Sequence, residues 1–162
     1  MQLLKKGDVI AVYGENDIVS LSIEIITHSP ISHVALVVDP ENKQLIEANM
    51  NRKIGYKSLD DYRNHCLILS IPSLTDEQRD KIVEYAKTQI GESYDFRAII
   101  EEFLRYTLKF NFVPSEMNEK RFICSTLVNS AYLSAGVKLT NQYLPSPNDI
   151  LKSPLVAIVG QY

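Results

Sequence analysis

Two rhythms of apolar residues run through the chain, short β-prone runs and stripes at three- to four-residue spacing. Val9-Ile10-Ala11-Val12-Tyr13 follows the turn Gly7-Asp8 and predicts a first strand. Residues 14–17 break it. Asp17 is a capping residue for a helix over 18–26, with Ile18, Leu21, Ile25 and Ile26 as its apolar stripe. A hairpin follows: a run over 33–38, turn residues over 39–43, and a second run over 44–48. The first of these runs is apolar after His33, so the pattern predicts a strand covered on both faces. Residues 49–65 are mixed and polar, with a short strand near Ile54-Gly55-Tyr56. Residues 66–71 form the next strand, closed by Pro72.

The spacing then becomes helical. Thr75 and Gln78 make a capping box, Ile82, Val83, Ala86 and Ile90 line one face, and Gly91 ends the segment. Asp95 opens another helix, with Ile99, Ile100, Phe103 and Leu104 inward. A polar loop over 111–120 holds Pro114. Residues 121–136 predict a helix with Leu127, Val128, Ala131, Tyr132 and Ala135 on its buried face and Gly136 at its stop. A turn over 145–149 and a strand over 155–159 complete the chain. The sum is an α+β fold of four to six largely antiparallel strands with helices gathered on one side, in a single domain over 1–162.

Composition narrows the function classes. The 162 residues suffice for one domain with a real core, and the net charge of −3 argues against nonspecific nucleic-acid binding, which needs clustered positive charge. Two cysteines, Cys66 and Cys124, without a CxxC pair or His-rich spacing, suggest neither a disulfide scaffold nor zinc. No cofactor is called for. No apolar run reaches membrane-spanning length, and residues 1–8 lack the apolar centre of a signal peptide, so the expected location is the cytoplasm.

The candidate chemistry starts at Cys124. It stands near the start of its helix, where unpaired N–H groups and the helix dipole favour a thiolate. Core packing is the competing reading, because cysteine is among the most buried residue types. A thiol nucleophile needs a base and the base needs orienting. Of three histidines, His33 is the informative one, a polar ring at the mouth of an apolar strand. The hairpin offers Glu47 as its partner. The two residues share a face if they are directly opposed or if the register shifts by two, and lie on opposite faces if it slips by one. A satisfied polar pair at a sheet edge is the alternative to catalysis. Pattern alone does not bring Cys124 to His33. His28 and His65 are read as loop residues, and Ser32 and Ser125 as structural neighbours.

Taken in order, Gly7-Asp8-Val9-Ile10, residues 32–37 (SHVALV), residues 45–48 (LIEA), residues 91–96 (GESYDF), residues 122–128 (FICSTLV) and Pro147-Asn148-Asp149 resemble the permuted branch of the NlpC-type cysteine hydrolases, the YiiX-like proteins. In that branch the histidine hairpin precedes the cysteine helix, as here. The resemblance implies a papain-like fold, a small antiparallel sheet or partial barrel against a helical subdomain. It implies Cys124 as nucleophile, His33 as base, Glu47 as third polar residue, and Tyr94 beside the nucleophile as an oxyanion or substrate group. It further implies hydrolysis of an amide, in a cell-wall stem peptide or peptidoglycan fragment or in a γ-linked small peptide. Two alternatives are a lipid acyl hydrolase or acyltransferase with the same triad, its acyl site lined from residues 103–112, and a non-catalytic binding module of the same fold.

Overall fold

The computed structural model describes residues 4–13, 31–48, 53–92, 119–142 and 145–162. The helices expected over 18–26 and after Asp95 lie outside the described residues, as do His28, Tyr94 and the 103–112 segment on which the lipid reading rests.

Strands β1 (Val9–Tyr13), β2 (Ile31–Asp39), β3 (Gln44–Ala48), β4 (Ile54–Ser58), β5 (Cys66–Ser70) and β6 (Ala157–Gln161) form one sheet. Its order is β4-β3-β2-β1-β5-β6, with antiparallel pairing throughout. A 3₁₀ turn over Leu59–Tyr62 joins β4 to β5. The described helices are α1 (Asp76–Thr88), α2 (Glu119–Ser134) and α3 (Pro147–Leu151).

The expected caps form. Thr75 accepts from the Gln78 N–H while the Gln78 side chain returns to the Thr75 N–H, closing the capping box of α1. Helix α2 stops at Gly136, whose φ of 75° a side chain would resist. The Gly136 N–H donates to Leu133 and the Val137 N–H to Tyr132, which satisfies the last carbonyls. The segment over 145–149 is more than the expected turn. Ser146 and Asp149 cap each other, and Pro147 at the first helical position starts α3.

Strand alternation produces two cores. Val34, Leu36 and Val38 of β2 join Val9, Ala11 and Ile46 beneath Ile82, Val83 and Ala86 of α1 and Leu127, Val128, Ala131 and Tyr132 of α2. On the opposite face Ala35 and Val37 meet Ile10, Val12, Leu45, Leu59 and Cys66 in a smaller cluster, with Tyr62 and Tyr162 packed against it. Both faces of β2 are therefore covered, as its unbroken apolar run requires.

A buried polar cluster ties the helical layer to the start of β1. Arg79 of α1 donates to Asp8 Oδ1 at 3.0 Å and to the carbonyls of Lys6 and Ile71 at 2.7 and 3.1 Å. Ser70 donates to the same Asp8 oxygen at 2.6 Å, and the Lys5 N–H to the other at 2.9 Å. The Tyr132 hydroxyl of α2 donates to the Gly7 carbonyl beside it.

Candidate active site

The second buried polar cluster lies at the far end of β2. Along β1 the register runs regularly from Val9↔Leu36 to Val12↔His33, then jumps to Tyr13↔Ile31. Ser32 is the extra residue of this bulge, and its hydroxyl donates to the Val12 carbonyl at 3.3 Å. A bulge bends its strand and re-aims the neighbouring side chain. His33 is therefore the third residue of β2, held just past a kink, rather than the strand's first residue.

In the hairpin, Leu36 opposes Ile46 and Val37 opposes Leu45. Extending that register sets Glu47 across from Ala35, so His33 and Glu47 are diagonal neighbours on one face. This is the register shifted by two, and it keeps the pair in reach. His33 Nε2 lies 2.8 Å from Glu47 Oε2, with both side chains 7% exposed. The hairpin turn that sets the register is stapled by the Asn42 N–H and side-chain amide, both donating to Asp39.

Glu47 Oε2 accepts a second hydrogen bond, from the Tyr62 hydroxyl at 2.6 Å. The Tyr62 ring also lies 6.1 Å from the His33 ring. Burial favours the neutral carboxylic acid, but the hydrogen bonds and charge of His33, with the Tyr62 hydroxyl, outweigh it and hold the Glu47 carboxyl below its ordinary range. Burial and the adjoining carboxylate together push the Tyr62 phenol up, so it stays a donor. Tyr62 escaped the sequence analysis because it falls in the mixed stretch 49–65. The available signal was Ser58 as a cap followed by Leu59 and Tyr62 three residues apart, and the Ser58 hydroxyl does accept from the Asp60 N–H.

Cys124 approaches from the other side of the sheet, within the helix-side core. Among the described residues helix α2 is already formed at Glu119, two residues before the expected start, and Glu119 and Lys120 are good helix formers. Cys124 is therefore in the second turn, where its N–H belongs to the internal hydrogen-bond ladder and not to the unpaired first-turn set. The dipole argument for this cysteine weakens accordingly.

The contact with His33 carries more weight. Burial acts to lower the His33 pKa, but hydrogen-bond contact with the Cys124 sulfur, then the Glu47 hydrogen bond and the charge of both groups, lift it from 6.5 to about 9. With Nε2 engaged by Glu47, Nδ1 is the nitrogen left for the sulfur. Nδ1 makes no hydrogen bond of ordinary geometry, although it is buried. The ring thus stands between a carboxylate and a thiol, tightly bonded to the first and in contact with the second.

Cys66 behaves differently. Burial pushes its thiol up to about 11, and it points at the Tyr162 carbonyl, 3.7 Å away. Neither cysteine is in a disulfide. Ser125 donates to the Pro145 carbonyl and so ties α2 to the segment before α3. His65 lies in the loop before β5, with its ring edge-on to Tyr13 at 6.4 Å. The structure therefore brings together Cys124, His33 and Glu47. Tyr94 is outside the described residues.

Residues 3–153 match the family model of the permuted papain-like amidase enzymes, YaeF/YiiX, C92 family. The crystal structure of the metalloprotein yiiX from Escherichia coli O157:H7 is similar to this chain, with a TM-score of 0.65, 19% sequence identity and 99% of each chain covered. No curated protein matches the chain. The shared fold is the papain-like one in its permuted order, with the histidine hairpin ahead of the cysteine helix. Among the described residues, no three His, Cys, Asp or Glu side chains gather as metal ligands, and no helix is long and apolar enough to cross a membrane.

Proposed function

The chain belongs to the C92 family of permuted papain-like cysteine amidases, and from that premise we propose that Cys124, His33 and Glu47 are its catalytic triad, acting on an amide in a cell-wall-type peptide or a γ-linked small peptide. The observation that carries this reading is the His33 ring, bonded through Nε2 to Glu47 at 2.8 Å and in contact with the Cys124 sulfur.

Cys124 Sγ attacks the carbonyl carbon, forming a C–S bond, while its proton resides on His33 Nδ1. Glu47 holds the Nε2–H tautomer and balances the imidazolium charge. The tetrahedral intermediate collapses as Nδ1 passes its proton to the departing amine, and the C–N bond breaks. Water then gives a proton to Nδ1 and attacks the thioester. The C–S bond breaks, the acid leaves, and the sulfur regains its proton. Tyr94 is assigned the oxyanion or substrate contact that the family resemblance implies.

The test is iodoacetamide labelling of Cys124 against pH in a Cys66→Ala background, with and without His33→Ala. Labelling that is fast at neutral pH and markedly slower in His33→Ala is the expected result. Equal rates in the two proteins would reduce Cys124 to a packing residue.

A further inference from the structure

We propose that Tyr62 is a positioning residue of the catalytic site: its hydroxyl anchors Glu47, and through Glu47 it fixes the orientation of His33 toward Cys124. The inference rests on the triad reading above and adds a fourth side chain to it.

Glu47 Oε2 is a shared node, taking one hydrogen bond from His33 Nε2 at 2.8 Å and one from Tyr62 at 2.6 Å. A carboxylate held by a single donor can swing about its side-chain torsions. Two donors converging on one oxygen from different elements remove that freedom. The second donor comes from a rigid mount. Leu59, at the head of the 3₁₀ turn, is buried, and its N–H donates to the Lys43 carbonyl at 2.8 Å. The His65 N–H donates to the Tyr62 carbonyl at 3.0 Å at the other end. The Tyr62 backbone is thus set independently of Glu47, and the hydroxyl can act as a fixed post.

A purely structural tyrosine would need only its ring here, since the ring packs against the smaller core. The hydroxyl reaches past that core to the catalytic carboxylate. Other charged groups act on the same cluster. Lys57 on β4 acts by charge on Glu47, Asp61 acts on Tyr62, and Cys124 on α2 acts on both Tyr62 and His33. Among these, Tyr62 alone donates a side-chain hydrogen bond to Glu47 besides His33.

The test uses the full chain with Cys66→Ala, comparing Tyr62→Phe, His33→Ala and the parent. Tyr62→Phe keeps the ring and its packing and removes the post. Two quantities are read: the titration midpoint of the His33 ring by NMR, and the rate of iodoacetamide labelling of Cys124 at pH 7. With the post gone Glu47 turns away, so the His33 midpoint should fall by about one unit and labelling should slow by up to about tenfold, the loss of one hydrogen bond to a charged group. The thermal midpoint should fall by only a few degrees, in line with that one lost interaction. A His33 midpoint that is unchanged, or that rises, together with parental labelling, would make Tyr62 a packing neighbour and overturn the proposal. If His33→Ala still slows labelling in that case, the triad reading survives. If His33→Ala also labels at the parental rate, both readings fall.

Discussion

Among the described residues two buried polar clusters stand at opposite ends of β2, and they differ in how completely they are closed. Around Asp8, both carboxylate oxygens, the Ser70 hydroxyl and the Arg79 guanidinium are tied to one another or to backbone groups. Around His33, Glu47 is held through one oxygen by two donors, and the ring's other nitrogen, buried without an ordinary hydrogen bond, faces the Cys124 sulfur. Evenly satisfied networks make a fold specific, whereas an unmatched buried polar atom demands another explanation. In the proposed triad that nitrogen, facing the thiol, is the one that takes the Cys124 proton. The first cluster joins α1 and β1 and serves stability. The second joins a hairpin, a 3₁₀ turn and a helix, and is the one proposed to carry the reaction.

That contrast can be broken most severely at the nucleophile. Cys124→Ala should lower turnover of a peptide amide by a factor on the order of 10⁴ or more, with the unfolding transition little changed. Substantial residual turnover in the purified variant would show that the contact between His33 and Cys124 has another purpose. The opposite signature belongs to Asp8→Ala, which strands the Arg79 charge in the interior. Denaturant titration should show a loss of about 3–5 kcal/mol, and the protein that remains folded should label at Cys124 at the parental rate.

Glu47→Gln probes the second cluster without emptying it. It should cut turnover by about two orders of magnitude, in the range attributed to positioned acid–base groups. It also carries a pH signature with a definite sign. His33 is raised from 6.5 to about 9 on folding. Its contribution to stability is thus fully present below pH 6.5 and is lost as pH rises through about 9. The stability difference between the parent and Glu47→Gln should therefore shrink between those limits. A difference that stays flat from pH 6 to 10 would mean that Glu47 does not hold the His33 proton. Ser70→Ala offers the mildest comparison, a cost of about 1 kcal/mol for one hydrogen bond in the structural cluster and no change in Cys124 labelling.

The geometry also shows where pattern reading succeeds and where it stops. The strand over Val9–Tyr13, the hairpin strand Gln44–Ala48 and the capping box at Thr75 were legible because each rests on neighbours in sequence. The cap at Ser146 was missed as a helix start because five residues give too little periodicity to count. Candidates Cys124, His33 and Glu47 could be named from residue type, strand pattern and family resemblance. Arg79 stood out in none of these ways. It is a charged residue on a helix that reads as ordinary, and only burial beside Asp8 gives it a role.

What the sequence determined by itself, then, is local: which segments extend, which coil, and which side chains are capable of acid–base or nucleophilic chemistry. These follow from backbone preferences and from the periods of apolar residues. The tertiary structure alone decided the two-residue register that makes His33 and Glu47 diagonal partners, the Ser32 bulge that aims the ring, and the arrival of Cys124 from the opposite face of the sheet. It also decided that Tyr62 reaches Glu47. Each of these depends on elements far apart in the chain being packed together, and the energy that selects that packing is burial shared over the whole core, which no short window of residues contains.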